Sequence, residues 1–126
     1  MIQQQTILKV SDNSGAKTVR CIRVLGGFRK KYAKLGDNII VSVQQLRNKS
    51  KKTSKVKKGE VYKALIIRTK VPHKKKDGSQ IWFGENSVVL VNKQENPVST
   101  RIIGPLPKLL KKKKFQKFIS MSSGLI

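Results

Sequence analysis

Cys21 and His73 are the single cysteine and the single histidine of the chain, the one pairing that could supply a nucleophile and its base. A thiol reacts as its thiolate, which needs a base or a positive neighbour to form at neutral pH. Cys21 instead falls inside the β-branched run "KTVRCIRVLGG", where a free cysteine behaves as a small buried hydrophobe. The acids are Asp12, Asp37, Glu60, Asp77, Glu85 and Glu95, scattered and mostly beside glycine or asparagine in turn-forming stretches. They offer no converging pair for acid–base work. One Cys and one His cannot make the usual four-ligand metal site, and neither GxxxxGK nor GxGxxG occurs. The expectation is a protein that is not an enzyme, with no cofactor and no metal.

Positive charge is what the sequence does offer. Lys and Arg number 29 against 6 Asp and Glu, a net charge of +23 on 126 residues. Such an excess makes a compact chain repel itself, so a polyanionic partner is implied. Nucleic acid is favoured, because release of counterions from a phosphate backbone rewards dispersed Lys and Arg. The charge is clustered: Arg29, Lys30, Lys31 and Lys34 in "RKKYAK"; Arg47, Lys49, Lys51 and Lys52 in "RNKSKKTSKVKKG"; Lys74, Lys75 and Lys76 in "VPHKKKDG"; Lys111 and Lys112 in "KLLKKKKF". One such cluster is most simply a solvated face. Four on one small frame suit several phosphate backbones at once, positioning the protein without reading bases. Phe28, Tyr32 and Trp82 lie beside basic residues or a hairpin and could stack on bases, although Trp82 is expected to pack in the core or hairpin.

These loops need a frame. "GDNIIVSVQQL" alternates cleanly, with Ile39, Val41 and Val43 on one face and Ser42 and Gln44 on the other. "TILKV", "KTVRCIRVLGG", "EVYKALIIRT" and "NSVVLVN" complete about five strands, several apolar on both faces. The fold class is mainly β, a small closed five-stranded β-barrel, with a two-sheet sandwich as the alternative. Asp77-Gly78 between apolar runs predicts a tight hairpin turn with the lysines leading into its tip. After Pro107, the apolar positions Leu109, Leu110, Phe115, Phe118 and Ile119, interrupted by lysines, predict two short C-terminal helices, and "SSGLI" a loose extension. The whole reads as one domain, 1–126, with the barrel over about 1–104 and a short helical region over about 105–126.

No stretch reaches the roughly 18 to 20 apolar residues of a membrane span, and the apolar face of "KLLKKKKFQKF" is too short for surface insertion, so no membrane partner is expected. "MIQQQTILKV" lacks the regions of a signal peptide and the composition of a transit peptide.

Several segments resemble the universal large-subunit ribosomal protein family numbered fourteen, in its bacterial and organellar form. The opening "MIQQQTILKVSDNSGAKTVRCIRVLGG" is similar to that family's start. Ala64 with "LII", Asp77-Gly78, Phe83, Asn86 and Val89-Leu90 resemble its signature, and "STRIIGPLPKLL" and "KFQKFIS" its C-terminal segments. The resemblance implies a barrel with a protruding hairpin that binds large-subunit rRNA and meets small-subunit rRNA at an intersubunit bridge. It also implies the large-subunit proteins numbered three and nineteen as neighbours, and a ribosome-silencing factor docking on a face that includes Thr100, Arg101 and Lys117.

Compared with that family, the loop 47–58 is longer and richer in lysine, and the tail 121–126 is divergent. "KLLKKKKF" replaces a mixture of Arg and Glu, leaving repulsion unless phosphates approach. Lysine excess with many Ile and Asn, and a start at the family's own start without a presequence, point to a mitochondrion-encoded protein working in the ribosome of the matrix. A bacterial cytoplasm or a plastid is the alternative. A different class, a free nucleic-acid chaperone with a cold-shock-like barrel, would need several exposed aromatics, and only 6% of the chain is aromatic.

Overall fold

A computed structural model describes residues 1–47 and 52–126. Five strands close a barrel in the order β1 (Ile7–Val10), β2 (Ala16–Val24), β3 (Asn38–Leu46), β4 (Val61–Arg68) and β7 (Ser87–Val91). Neighbours run antiparallel except where β1 meets β7 in parallel, Lys9 opposite Ser87 and Val10 opposite Val88. Between β4 and β7 a separate two-stranded hairpin projects, formed by β5 (His73–Lys74) and β6 (Gln80–Ile81). Closure leaves the five barrel strands without a free edge, which is the protection that two-faced apolar strands require.

The predicted alternation of β3 is observed, with Ile39, Val41 and Val43 buried. They join Leu8, Val10, Val19, Cys21, Ala64, Ile66, Val88 and Leu90 in the barrel interior. Register shifts along β2, between Ala16 and Val19 and between Cys21 and Arg23, are the bulges that let a strand bend round a small barrel.

β4 and β7 are buried on both faces for a second reason. Their outer residues Leu65, Ile67, Val89 and Val91 carry a separate cluster completed by Ile102, Leu106, Leu110, Phe115 and Phe118. The C-terminal segment is therefore a cover on the barrel wall, and burying each large aliphatic or aromatic side chain there contributes about 1.5–3 kcal/mol. Its helical content differs from the two helices expected: two single 3-10 turns, Lys108–Leu110 and Lys113–Phe115, precede one α-helix, α1 (Gln116–Met121). Lysines 111–114 leave too few apolar positions for a continuous amphipathic helix, so the short turns are anchored by Leu110, Phe115 and Phe118, with Ile119 and Met121 partly buried beside them.

The tail is not a loose extension. Leu106 donates its backbone N–H to Gly124 and accepts from Ile126, while Lys108 N–H donates to the Ile126 carbonyl at 2.8 Å. These backbone bonds form a parallel bridge, Leu106 with Leu125, which the local sequence pattern does not announce because its partner lies 19 positions away.

At the end of β1 the "DNSGA" turn is built on Asp12, whose side chain is wholly buried. Its Oδ1 accepts from the Ser14 N–H at 3.0 Å and the Ser14 hydroxyl, and Oδ2 accepts from the Leu90 N–H at 3.1 Å. A buried carboxylate with three donors is satisfied, and it ties the β1–β2 turn to β7.

Candidate nucleic-acid interface

Every carboxylate is engaged by the chain itself. Asp12 holds its turn; Lys30, Lys9 and Lys63 pair with Asp37 at 2.8 Å, Glu85 at 2.7 Å and Glu95 at 2.6 Å. Glu60 accepts from the Tyr62 hydroxyl and the Lys57 N–H, and Asp77 accepts from Ser79. Among the described residues no carboxylate is left to neutralise the remaining lysines and arginines, so their charge faces outward.

The β5–β6 hairpin shows how that charge is aimed. His73 pairs with Ile81 and Lys74 with Gln80. Lys75 N–H donates to the Ser79 carbonyl at 2.7 Å and Gly78 N–H to the Lys75 carbonyl at 3.1 Å, which leaves a three-residue loop with Gly78 at φ +88°. That left-handed position closes a type I turn with a bulge, in place of the two-residue turn that Asp-Gly alone suggests. Asp77 is spent on the turn, and the Ser79 hydroxyl and N–H lower its carboxyl pKa. At the base, Thr69 accepts from Phe83 N–H at 3.0 Å, and its hydroxyl meets His73 Nε2 at 2.9 Å. Lys70 N–H is held by Asn86 at 2.9 Å. Lys74, Lys75 and Lys76 thus ride on a strapped hairpin, with Lys74 and Lys76 exposed.

His73 is a strut at the hairpin base, through its contact with the Thr69 hydroxyl. Burial, then the positive field of Lys34 and of the amino terminus, pushes its pKa below the ordinary value.

Arg29, Lys30, Lys31 and Lys34 share the β2–β3 loop, where Arg29, Lys30 and Lys31 border an open groove of about 730 Å³ together with Gln3, Gln4, Arg23 and Tyr32. Lys30 is half-buried in its pair with Asp37, so it shapes the loop while Arg29, Lys31 and Lys34 remain exposed. Arg23 lies on β2 itself, outside the loops in which the contacts are expected. Arg20 and Arg23 also point outward from β2, and the alternation in "AKTVRCIRV", with Val19 and Cys21 inward, is the signal that could have found them.

Arg47 bends back to donate to the Val10 carbonyl at 3.0 Å and lines a cavity of about 280 Å³ with Lys9, Lys17 and Arg68. Lys52 is exposed; Lys49 and Lys51 lie outside the described residues. Lys111 and Lys112 are exposed where the C-terminal cover crosses the barrel. Next to them Lys114 Nζ sits 4.8 Å from the Phe115 ring centroid.

Thr100 and Arg101 are exposed on the segment that leads into the cover, held by Asn13, and Lys117 on α1 donates to Asn96 Oδ1 at 2.6 Å.

Trp82 is not packed in the core: it is 62% exposed at the foot of the hairpin, because β6 ends at Ile81 and only that residue turns inward. Cys21, by contrast, is sealed in the barrel interior, and burial raises its thiol pKa, so no thiolate is poised and no hydrogen bond joins it to His73. Among the described residues no three of His, Cys, Asp and Glu come together as metal ligands. No helix is long and apolar enough to cross a membrane.

A family model described as ribosomal protein L14p/L23e matches residues 1–126, the entire chain.

Proposed function

The chain belongs to the ribosomal protein L14p/L23e family, a structural and non-enzymatic constituent of the large ribosomal subunit, and from that premise we propose how it engages its partners. It binds large-subunit rRNA as one unit, 1–126, through lysines and arginines carried on a rigid barrel. The observation that carries this reading is the strapped hairpin: Lys74 to Lys76 project from a frame pinned by Thr69, His73, Phe83 and Asn86, with the only local acid consumed by its own turn. Arg29, Lys31, Lys34, Arg47, Lys52, Lys111 and Lys112 add contacts to phosphates, and Lys49 and Lys51, outside the described residues, are proposed for the same role. Binding is electrostatic and fixes the local geometry of folded RNA.

The same body meets small-subunit rRNA at an intersubunit bridge and abuts the large-subunit proteins numbered three and nineteen. Thr100, Arg101 and Lys117 form the face on which a ribosome-silencing factor docks; the hydrogen bonds that fix all three support that role. The compartment is the mitochondrial matrix, a reading supported by the lysine-rich composition. Sedimentation of extracts from purified mitochondria tests both parts: co-migration with large subunits is expected, and the protein in light fractions alone would sink the ribosomal role. Absence from mitochondria would sink the compartment.

A further inference from the structure

Taking RNA as the partner, as read above, we propose that the groove beside the β2–β3 loop holds a single unpaired nucleotide, its base stacked against Arg29 and Tyr32, which line the groove, and reaching Phe28, which lies outside that lining against the Arg29 guanidinium. Phe28 is 92% exposed and belongs to neither hydrophobic cluster. Its ring is met by the Arg29 guanidinium, 5.2 Å from the centroid. Arg29 holds a left-handed φ of +53°, a conformation uncommon for a non-glycine residue. An apolar ring and a guanidinium plane presented together to solvent make a stacking platform with no occupant inside the protein.

Tyr32, 49% exposed, borders the groove together with Arg29. The amides of Gln3 and Gln4 stand there too, each able both to donate to and accept from the edge of a base. Arg23 and Lys31 supply charge for the flanking phosphates, while Lys30 is withdrawn into its pair with Asp37. The volume, about 730 Å³, falls within the range of about 300–1,000 Å³ that holds small organic ligands. Duplex RNA offers a protein phosphates and sugars along its ridges and hides its base faces, so it has no use for an exposed aromatic tip. Splayed bases in loops and bulges are what aromatic rings and guanidinium planes stack on.

The test titrates the full-length protein against a labelled unstructured RNA oligonucleotide and a blunt duplex of equal length, over a series of salt concentrations. Phe28→Ala with Tyr32→Ala keeps every charge. The expected result is a loss of single-strand affinity of about 5- to 100-fold, with duplex affinity and the salt slope unchanged. Phe28→Trp, which restores the ring, retains the single-strand affinity. Equal losses on both RNAs, or no loss on either, would overturn the proposal. Failure of the wild-type protein to bind either RNA would instead overturn the RNA reading on which it rests. In assembled large subunits, ultraviolet cross-linking is expected to place a nucleotide on Tyr32 or Phe28, and a protein adduct there would also overturn it.

Discussion

Asn13 clamps Thr100 from the opposite end of the chain. Its Nδ2 donates to Thr100 Oγ1 at 2.9 Å while its Oδ1 accepts from the Thr100 N–H at 3.0 Å and from the Arg101 N–H at 3.2 Å. The backbone completes the clamp, Asn13 N–H donating to the Arg101 carbonyl at 3.3 Å, and Asp12 bridges Ile102 immediately beyond. The geometry of the 100–101 surface is therefore set by the "DNSGA" turn. Asn13→Ala removes three side-chain hydrogen bonds at an exposed site, where each is worth about 0.5–1.5 kcal/mol net and water partly replaces it. The expected cost is about 1–2 kcal/mol in a denaturant melt. If the 100–101 face docks a silencing factor, the variant also weakens that factor in a pull-down, as Thr100→Ala does with less loss of stability. A normal pull-down from both would remove the face from that role.

The hairpin lysines and the turn beneath them are separable. Lys74→Gln, Lys75→Gln and Lys76→Gln together flatten the plot of log affinity against log salt by about 2 to 3 if each neutralises a phosphate. Gly78→Ala leaves all charges in place and meets no atom within 4 Å, yet it forces a Cβ onto a φ of +88° at a cost of about 1 kcal/mol or more. RNA affinity is expected to fall in this variant too, because the turn aims the lysines. Unchanged affinity in Gly78→Ala beside a large loss in the triple variant would mean that the lysines act as a flexible tag.

The barrel was readable because β3 alternates and the other strands are short and β-branched, signals that depend only on neighbours in sequence. What the sequence concealed depends on partners far away. The double-faced apolarity of β4 suggested closure of the sheet, but its outer residues Leu65 and Ile67 are covered by Phe115 and Phe118, some 50 positions on. Tail pairing with Leu106 is of the same kind. At the candidate interface, the lysine runs stand in loops as their sequence suggests, whereas Lys30 resembles its neighbours until Asp37 folds beside it. Arg23 carries its charge within a strand and not in a loop, and its place on β2 is written in the inward Val19 and Cys21.

Arg68 and Gly104 depend on one another. Arg68 is 9% exposed; its Nη2 donates to the Ser11 hydroxyl and to the Ile103 carbonyl at 3.1 Å, bracing β4 against β1 and the C-terminal segment. Gly104 sits at φ +88°, and a Cβ there would run into the Arg68 guanidinium. Gly104→Ala is expected to cost about 2–4 kcal/mol, from left-handed strain plus displacement of a buried charge from its partners. Shortening the arginine relieves the collision, so Gly104→Ala in an Arg68→Lys background costs less than the sum of the two single changes. Additive losses in a double-mutant cycle of urea melts would show that the two residues do not interact.

Stability of the free protein should be bounded by pH on both sides. The carboxyl pKa of Glu60 is lowered by the Tyr62 hydroxyl and the Lys57 N–H, and those of Glu85 and Glu95 mainly by their lysines, Lys9 and Lys63. A group whose folded pKa is depressed contributes stability that is fully present above its ordinary value of 4.5 and is lost as pH falls through the lower folded value. Each proton taken up also adds to a net charge of +23, so acid unfolding is self-reinforcing. At the other limit, burial first and the hydrogen bond to Glu60 second push the Tyr62 phenol up from 10.0 to about 12. Its contribution is complete below 10.0 and is lost as pH rises through about 12. Thermal melts of the free protein are expected to hold a plateau between these limits, and added salt should raise the melting temperature by screening repulsion while it weakens RNA binding. Tyr62→Phe removes the alkaline absorbance step near 12 and leaves the acid limb with a smaller contribution from Glu60. A step near 12 that survives in that variant, or a melting temperature that falls with added salt, would contradict this account of the charge.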